Sequence, residues 1–226
     1  MRKNTKIAIA VIVLAVLTLI IVLASTVFAV GSVRLIWYNT PNGTLASLTN
    51  ENILKSSGVQ GNSVFLLDRD KAIENIEKEY PRLRVIDIEI CWPNIMNVHA
   101  IERQEVYAVR IGDKYAITDE YLKILDIVPT YTSTNINPVV LEIPDLDDNY
   151  QKGDTIEHEY FETFVGVYNG FIAMGRDLTD MRALCASMSY TNAHLTITTH
   201  FGVTIILDNP TPVSYTHLTL PTKRIV

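Results

Sequence analysis

Apolar and polar positions fall into three regimes along the chain. Residues 7–30 form one apolar run, broken only by Thr18, Ser25 and Thr26 and preceded by Arg2, Lys3 and Lys6. As a helix it would be about 36 Å long, against a hydrocarbon core of about 30 Å, so it predicts one transmembrane helix with some tilt. Basic residues crowd its N-terminal side, whereas residues 31–50 hold only Arg34. That bias keeps a cytoplasmic tail, residues 1–6, inside and sends the rest of the chain across the membrane. A cleaved signal peptide, cut near Val27-Phe28-Ala29, is the rival reading. The run exceeds the roughly 7–15 apolar residues of a signal core, which favours the anchor.

The second regime, residues 33–103, mixes two periods. Residues 33–38 alternate as a strand with Val33, Leu35 and Trp37 on one face, and Pro41-Asn42-Gly43 ends it. A short helix follows over residues 50–56, with Thr49 as N-cap and Gly58 as its stop. Residues 63–67 read as an apolar clip. Asp68 or Asp70 then caps a helix reaching about Glu79, which Pro81 ends. Residues 83–91 alternate again, with Ile86, Ile88 and Ile90 expected on one face and Val85, Asp87 and Glu89 on the other. Trp92-Pro93-Asn94 turns the chain into a strand over residues 96–101. The result is a strand-helix-helix-strand-strand unit, two helices on one face of a small sheet with an open edge.

Beyond Arg103 the third regime reads as a β meander. Strands are expected over residues 106–110, 114–118 and 122–127, with Gly112-Asp113 as a hairpin loop. Residues 129–137 form a polar connection. Asp154 with Glu157 makes a capping box for a helix carrying Ile156, Tyr160, Phe161, Phe164 and Tyr168 on one stripe. A second helix is expected over residues 177–188, where Leu178, Met181, Leu184, Cys185 and Met188 share a face. Residues 195–207 close the pattern as a hairpin turning near Phe201-Gly202. After Asn209, Pro210-Thr211-Pro212 breaks it, and residues 213–226 have neither helical nor strand logic.

Charge narrows the function class. The net charge is −6, and three of the cations lie in the first six residues, so the exported part is more acidic still. Such a surface repels phosphates and disfavours a nucleic-acid role. Gly58-Val59-Gln60-Gly61 has the spacing of a KH loop, but without a basic stripe it reads as a turn. Cys91 and Cys185 are an even pair in an exported chain; a disulfide and two separate thiols are both open, and the helical stripe favours a buried Cys185. His194 and His200, six apart on one expected strand, would lie about 20 Å from each other, too far to share a metal. Asp145, Asp147, Asp148 and Asn149 invite a calcium loop, yet Tyr150 and Ile156 stand where Gly and Glu are needed, so a solvated loop is the better reading. No nucleophile elbow, phosphate loop, dinucleotide fingerprint or zinc-protease motif is present, and no cofactor or small-molecule substrate is expected.

Gly58, the Phe65-Leu66-Leu67-Asp68 run, Tyr80-Pro81, the alternating strand, Trp92-Pro93 and Glu102-Arg103, in that order after an N-terminal anchor, resemble the FtsQ/DivIB family of bacterial cell-division proteins. The resemblance implies an α+β chain: a transmembrane helix (7–30), a POTRA domain (33–103) and a β-rich domain with one or two helices (104–209). It marks Pro81, Trp92, Pro93, Glu102 and Arg103 as family signature, the last two with a structural role. One departure stands out: Leu122 follows Asp119-Glu120 where the family turns on Gly. The resemblance also implies a non-catalytic scaffold at the division septum that joins FtsB/DivIC and FtsL. Partner contact is expected near the end of the β domain, at Ile197, Thr199, His200, Val203, Thr204 and Ile205, by strand addition. By the same resemblance the β domain should continue past Asn209. Residues 210–226 therefore read as a non-native tail on a shortened domain, and partner binding should be weak. The alternative is an anchored extracytoplasmic enzyme or ligand sensor using the acidic loop at Asp145 to Asn149 and His158. A secreted binding module is a third reading and requires cleavage after Ala29.

Overall fold

The computed structural model describes residues 3–208 apart from 44, 145, 148, 159 and 193, and gives backbone only for residues 3–7 and 24. The chain divides into two compact units, Met1–Arg103 and Gln104–Val226. The expected tail, residues 210–226, lies outside the described residues.

The first unit opens with helix α1 (Lys3–Thr26). Its continuously described side chains cover residues 8–23, about 24 Å of helix. Among the described residues alone, no helix is long and apolar enough to cross a membrane. A three-stranded sheet follows, formed by β1 (Ser32–Trp37), β2 (Leu83–Cys91) and β3 (Ile95–Glu102) in the order β1-β3-β2. Strand β1 runs parallel to β3, and β2 is antiparallel to it. Between β1 and β2 come helices α2 (Asn50–Ser57) and α3 (Arg69–Glu79). Thr49 caps α2 in a reciprocal box with Asn52, and Gly58 ends it at φ 68°, a left-handed value that suits a residue without Cβ. Asp68 caps α3 through the Lys71 N–H. Ile53, Ala72 and Ile76 on the helices close over Val33, Ile88 and Val98 on the sheet.

Two details of this unit depart from the alternation in the sequence. A β-bulge between Val85 and Asp87 switches the faces of β2. Leu83, Val85 and Ile88 are therefore buried together, while Ile86 points to solvent. Glu77 on α3 holds the bulge, its Oε1 accepting the Val85 N–H at 2.8 Å. The apolar clip at residues 63–67 is a 3-10 turn that leaves Phe65 and Leu66 exposed.

The second unit is a seven-stranded mixed sheet, β10-β9-β8-β7-β4-β5-β6. Its strands are β4 (Tyr107–Ile111), β5 (Lys114–Thr118), β6 (Ile124–Val128), β7 (Val139–Glu142), β8 (Cys185–Thr191), β9 (His194–Thr199) and β10 (Thr204–Asp208). Strand β7 is parallel to both of its neighbours, β4 and β8. Helices α4 (Phe161–Ala173) and α5 (Leu178–Leu184) connect β7 to β8. Phe164 and Met181 from these helices pack on Tyr107, Val109, Leu141 and Met188.

Here the sequence periods mislead in three places. Strand β7 is four residues between Pro138 and Pro144, too short to give a period. The helix expected over residues 177–188 stops at Leu184, and Cys185 begins β8; Met188 and Tyr190 satisfy a strand period as well as Met188 satisfied a helical one. Helix α4 starts at Phe161, not near Asp154, because residues 153–156 run beside residues 122–124 instead. Ile124 N–H donates to the Asp154 carbonyl, and Ile156 N–H to that of Leu122. Asp154 uses its carboxylate on the Gln151 N–H within that turn.

Candidate functional site

The hairpin expected near the end of the chain is present, turning at residues 200–203, and among the described residues its second strand is one of the two ends of the second sheet, the other being β6. In register, Thr204 faces Thr198, Ile205 faces Ile197 and Ile206 faces Thr196. All five residues of β10 are exposed, and among the described residues no strand lies on its far side. Half the main-chain donors and acceptors of such a strand point away from the sheet, ready to pair with an extended segment. Ile205, Ile206 and Leu207 are three consecutive apolar residues, the pattern of a strand covered on both faces. Among the described residues, neither face is covered.

The turn behind this edge is closed by several hydrogen bonds. The Thr199 hydroxyl sits 3.1 Å from both the N–H and the carbonyl of Val203, and the Thr199 N–H donates to that carbonyl. Gly202 at φ 78° completes it. His200 is tied to the end of α5, its N–H donating to the Leu184 carbonyl and its Nε2 lying 3.1 Å from the Arg182 carbonyl. Arg182 in turn donates to the carbonyls of Glu105 and Ile136. Burial pulls its guanidinium below the usual arginine range, with Glu105 acting the other way. At the opposite end of the hairpin, His194 Nδ1 meets Asp208 Oδ1 at 2.8 Å.

Of the residues expected to bind a partner, Val203, Thr204 and Ile205 lie on or beside the exposed strand. Ile197 and Thr199 lie one strand inward and are buried, and His200 is engaged within the domain. Ile206 and Leu207, absent from that expectation, present more of the apolar edge. Their run of three apolar residues is the signal that marks them.

Of the residues expected as family signature, Glu102 and Arg103 make side-chain hydrogen bonds within the first unit. Arg103 Nη2 meets Glu77 Oε2 at 2.7 Å, with little of either side chain exposed. The Arg103 N–H also donates to the Arg82 carbonyl, next to Pro81. Glu102 accepts the Asn42 N–H on Oε2 at 2.7 Å, while Asn39 pairs with its backbone on both sides. The Glu102-Arg103 pair thus pins the loop after β1 and the helix α3 to the end of β3. Trp92 and Pro93, joined by a cis peptide bond, form the β2–β3 turn.

The alternative site is only partly in view. Asp145 and Asp148 lie outside the described residues, and Asp147 accepts from the backbone N–H and the side chain of Asn149. His158 Nδ1 accepts the Tyr160 N–H. Among the described residues no three His, Cys, Asp or Glu side chains are grouped to hold a metal. Both cysteines are free, and burial pushes the Cys185 thiol up to about 11.

Residues 42–103 match the family described as POTRA domain, FtsQ-type. The chain is also similar to the cell division protein DivIB of Clostridium acetobutylicum, with 28% identity over 90 residues. That stretch covers 39% of this chain and 36% of the relative, so the chain spans about a third of the curated relative it matches. With the β-α-α-β-β order, the Glu77–Arg103 clamp and the Trp92-Pro93 turn already in place, residues 42–103 form a POTRA domain of the FtsQ type, in a chain similar over part of its length to DivIB.

Proposed function

We propose that this protein is a non-catalytic scaffold of the bacterial division machinery, held at the septal membrane by α1 and gripping other division proteins with its extracytoplasmic units. The observation that carries the gripping role is the edge at β10, which no strand covers among the described residues. It offers main-chain hydrogen bonds for affinity and Ile205, Ile206 and Leu207 for side-chain selectivity. The POTRA match and the likeness to a protein named DivIB support the division role; the partners of the FtsB/DivIC and FtsL type are those that the family resemblance implies.

The anchoring role rests on the whole of α1. The expected span 7–30 is helical only as far as Thr26, so its apolar helix is 20 residues or about 30 Å, and large apolar side chains from Ile9 to Leu23 are exposed on all sides of it. A helix apolar all round has no water-soluble face, so a bilayer is its natural solvent.

The test is a binding titration of the purified full chain against an FtsB/DivIC-type ectodomain. Ile206→Asp is expected to weaken binding at least about tenfold, or about 1.4 kcal/mol, with the unfolding midpoint unchanged. Equal affinity of the native chain and this variant would overturn the edge as the docking site. Release of the chain from membranes by alkaline carbonate would overturn the anchor.

A further inference from the structure

Three segments of the first unit meet where α1 ends, and none carries a charge. Residues 26–33, 56–67 and 90–98 contain no Asp, Glu, Lys or Arg, in a chain where these make up 19%. Hydrogen bonds lock them together. The Phe28 carbonyl accepts the Val64 N–H, Val30 exchanges bonds with Gly61 and Asn62, and the Gly31 N–H donates to the Asn94 carbonyl. A Cβ on Gly31 would come within 3.2 Å of the Asn94 side chain, so this contact is a close one.

On that joint sits an aromatic cluster. The rings of Phe28, Phe65 and Trp92 are mutually 5.2 to 5.7 Å apart. Phe65 is 59% exposed, Trp92 62% and the adjoining Leu66 85%. They belong to an apolar surface outside the core of the unit, contiguous with the apolar helix. Only Val27 separates Thr26, the last residue of α1, from Phe28. Two residues of chain reach at most about 7 Å. The domain therefore has no slack with which to stand away from whatever surrounds the end of the helix.

We infer that Phe28, Phe65, Leu66 and Trp92 form a collar that seats the POTRA domain in the outer interface of the lipid bilayer. The inference rests on the reading of α1 as a membrane span. Residues 7–26 give about 20 residues of helix to cross the hydrocarbon, so the helix end emerges at the outer boundary. There an aromatic ring trades water for the acyl boundary, while the Trp92 N–H keeps polar partners among the headgroups. The collar fixes the height and tilt of the domain, so the rest of the ectodomain leaves the membrane from a set platform. Charged side chains at this face would lose solvation at the interface, which accounts for the uncharged segments.

Trp92 is its own reporter, since the chain has only one other tryptophan, Trp37. The full chain carrying W37F is reconstituted in phosphatidylcholine–phosphatidylglycerol vesicles that include lipids brominated at the upper or the terminal acyl carbons. The expected result is blue-shifted Trp92 emission, quenched more by upper-chain than by terminal bromines and protected from aqueous iodide. The difference spectrum between the native chain and W92F gives the same quantity if W37F fails to fold. Phe65→Asp with Leu66→Asp is expected to shift the emission back to the red and restore iodide quenching while the chain stays in the membrane. Emission open to iodide and indifferent to bromolipid, from a chain that resists alkaline carbonate, would overturn the collar and leave the span standing. A chain extracted by carbonate would overturn both.

Discussion

Leu122 shows how one residue settles a conflict between backbone and core. It sits at φ 57° and is fully buried in the second core. The left-handed backbone is imposed from outside. Asp119, itself buried, accepts the N–H groups of both Tyr121 and Lys123 at 2.9 Å, and the Leu122 N–H returns to the Asp119 carbonyl. Glycine would remove about 1–2 kcal/mol of strain but forfeit a buried side chain worth about 2–5 kcal/mol. Leu122→Gly should therefore lower stability by roughly 1–3 kcal/mol, read as the shift in the urea midpoint. The sequence flagged this position as a departure from the family turn, but only the packing shows why leucine is kept. The same scale governs Glu77 and Arg103. Arg103→Ala leaves the Glu77 carboxylate without its nearest cation and should cost roughly 3–5 kcal/mol. Glu77→Gln keeps an acceptor for Val85 and should cost less, so the order of the two melting temperatures checks the assignment.

Elements of the first unit were largely legible in the sequence, because caps and stops are local chemistry: Thr49, Gly58, Asp68 and Pro81 each act on their own neighbours. The bulge in β2 was not, since the Glu77 carboxylate that holds it arrives from another helix. The same limit hid β7 and β8, central strands whose identity depends on the strands beside them. Burial in the second unit has a measurable consequence. Burial raises the Tyr107 hydroxyl, which donates to the Phe164 carbonyl, and also raises Tyr131, Tyr168 and the Cys185 thiol. Unfolded, these groups ionise from about pH 9 to 10. Their folded values are higher, so the stability they contribute is full below about pH 9 and is lost as pH rises toward the folded values. For Cys185 alone, with a folded value of about 11, the loss is on the order of 2–3 kcal/mol. Thermal melts should fall steeply between pH 9 and 11, and Cys185→Ala should flatten the slope. In native alkylation Cys91, the more exposed thiol, should react first.

Across the whole molecule, the reading turns on whether residues 1–30 stay attached. Chain purified from membranes is expected to keep its full intact mass; a product beginning at Val30 would instead mark a cleaved signal. The uncovered faces of β10 and the aromatic collar are both places where apolar area meets no described partner, and large exposed patches of that kind mark interaction surfaces. The sequence by itself determined the apolar N-terminal helix and the order of elements in the POTRA unit, because hydrophobic period, capping and turn residues act over a few positions. Tertiary structure alone decided the strand order of the second sheet among the described residues, which face of β2 is buried, where α5 gives way to β8, and that Phe28, Phe65 and Trp92 come together. Those outcomes depend on contacts between residues dozens of positions apart, and such contacts leave no period in the chain.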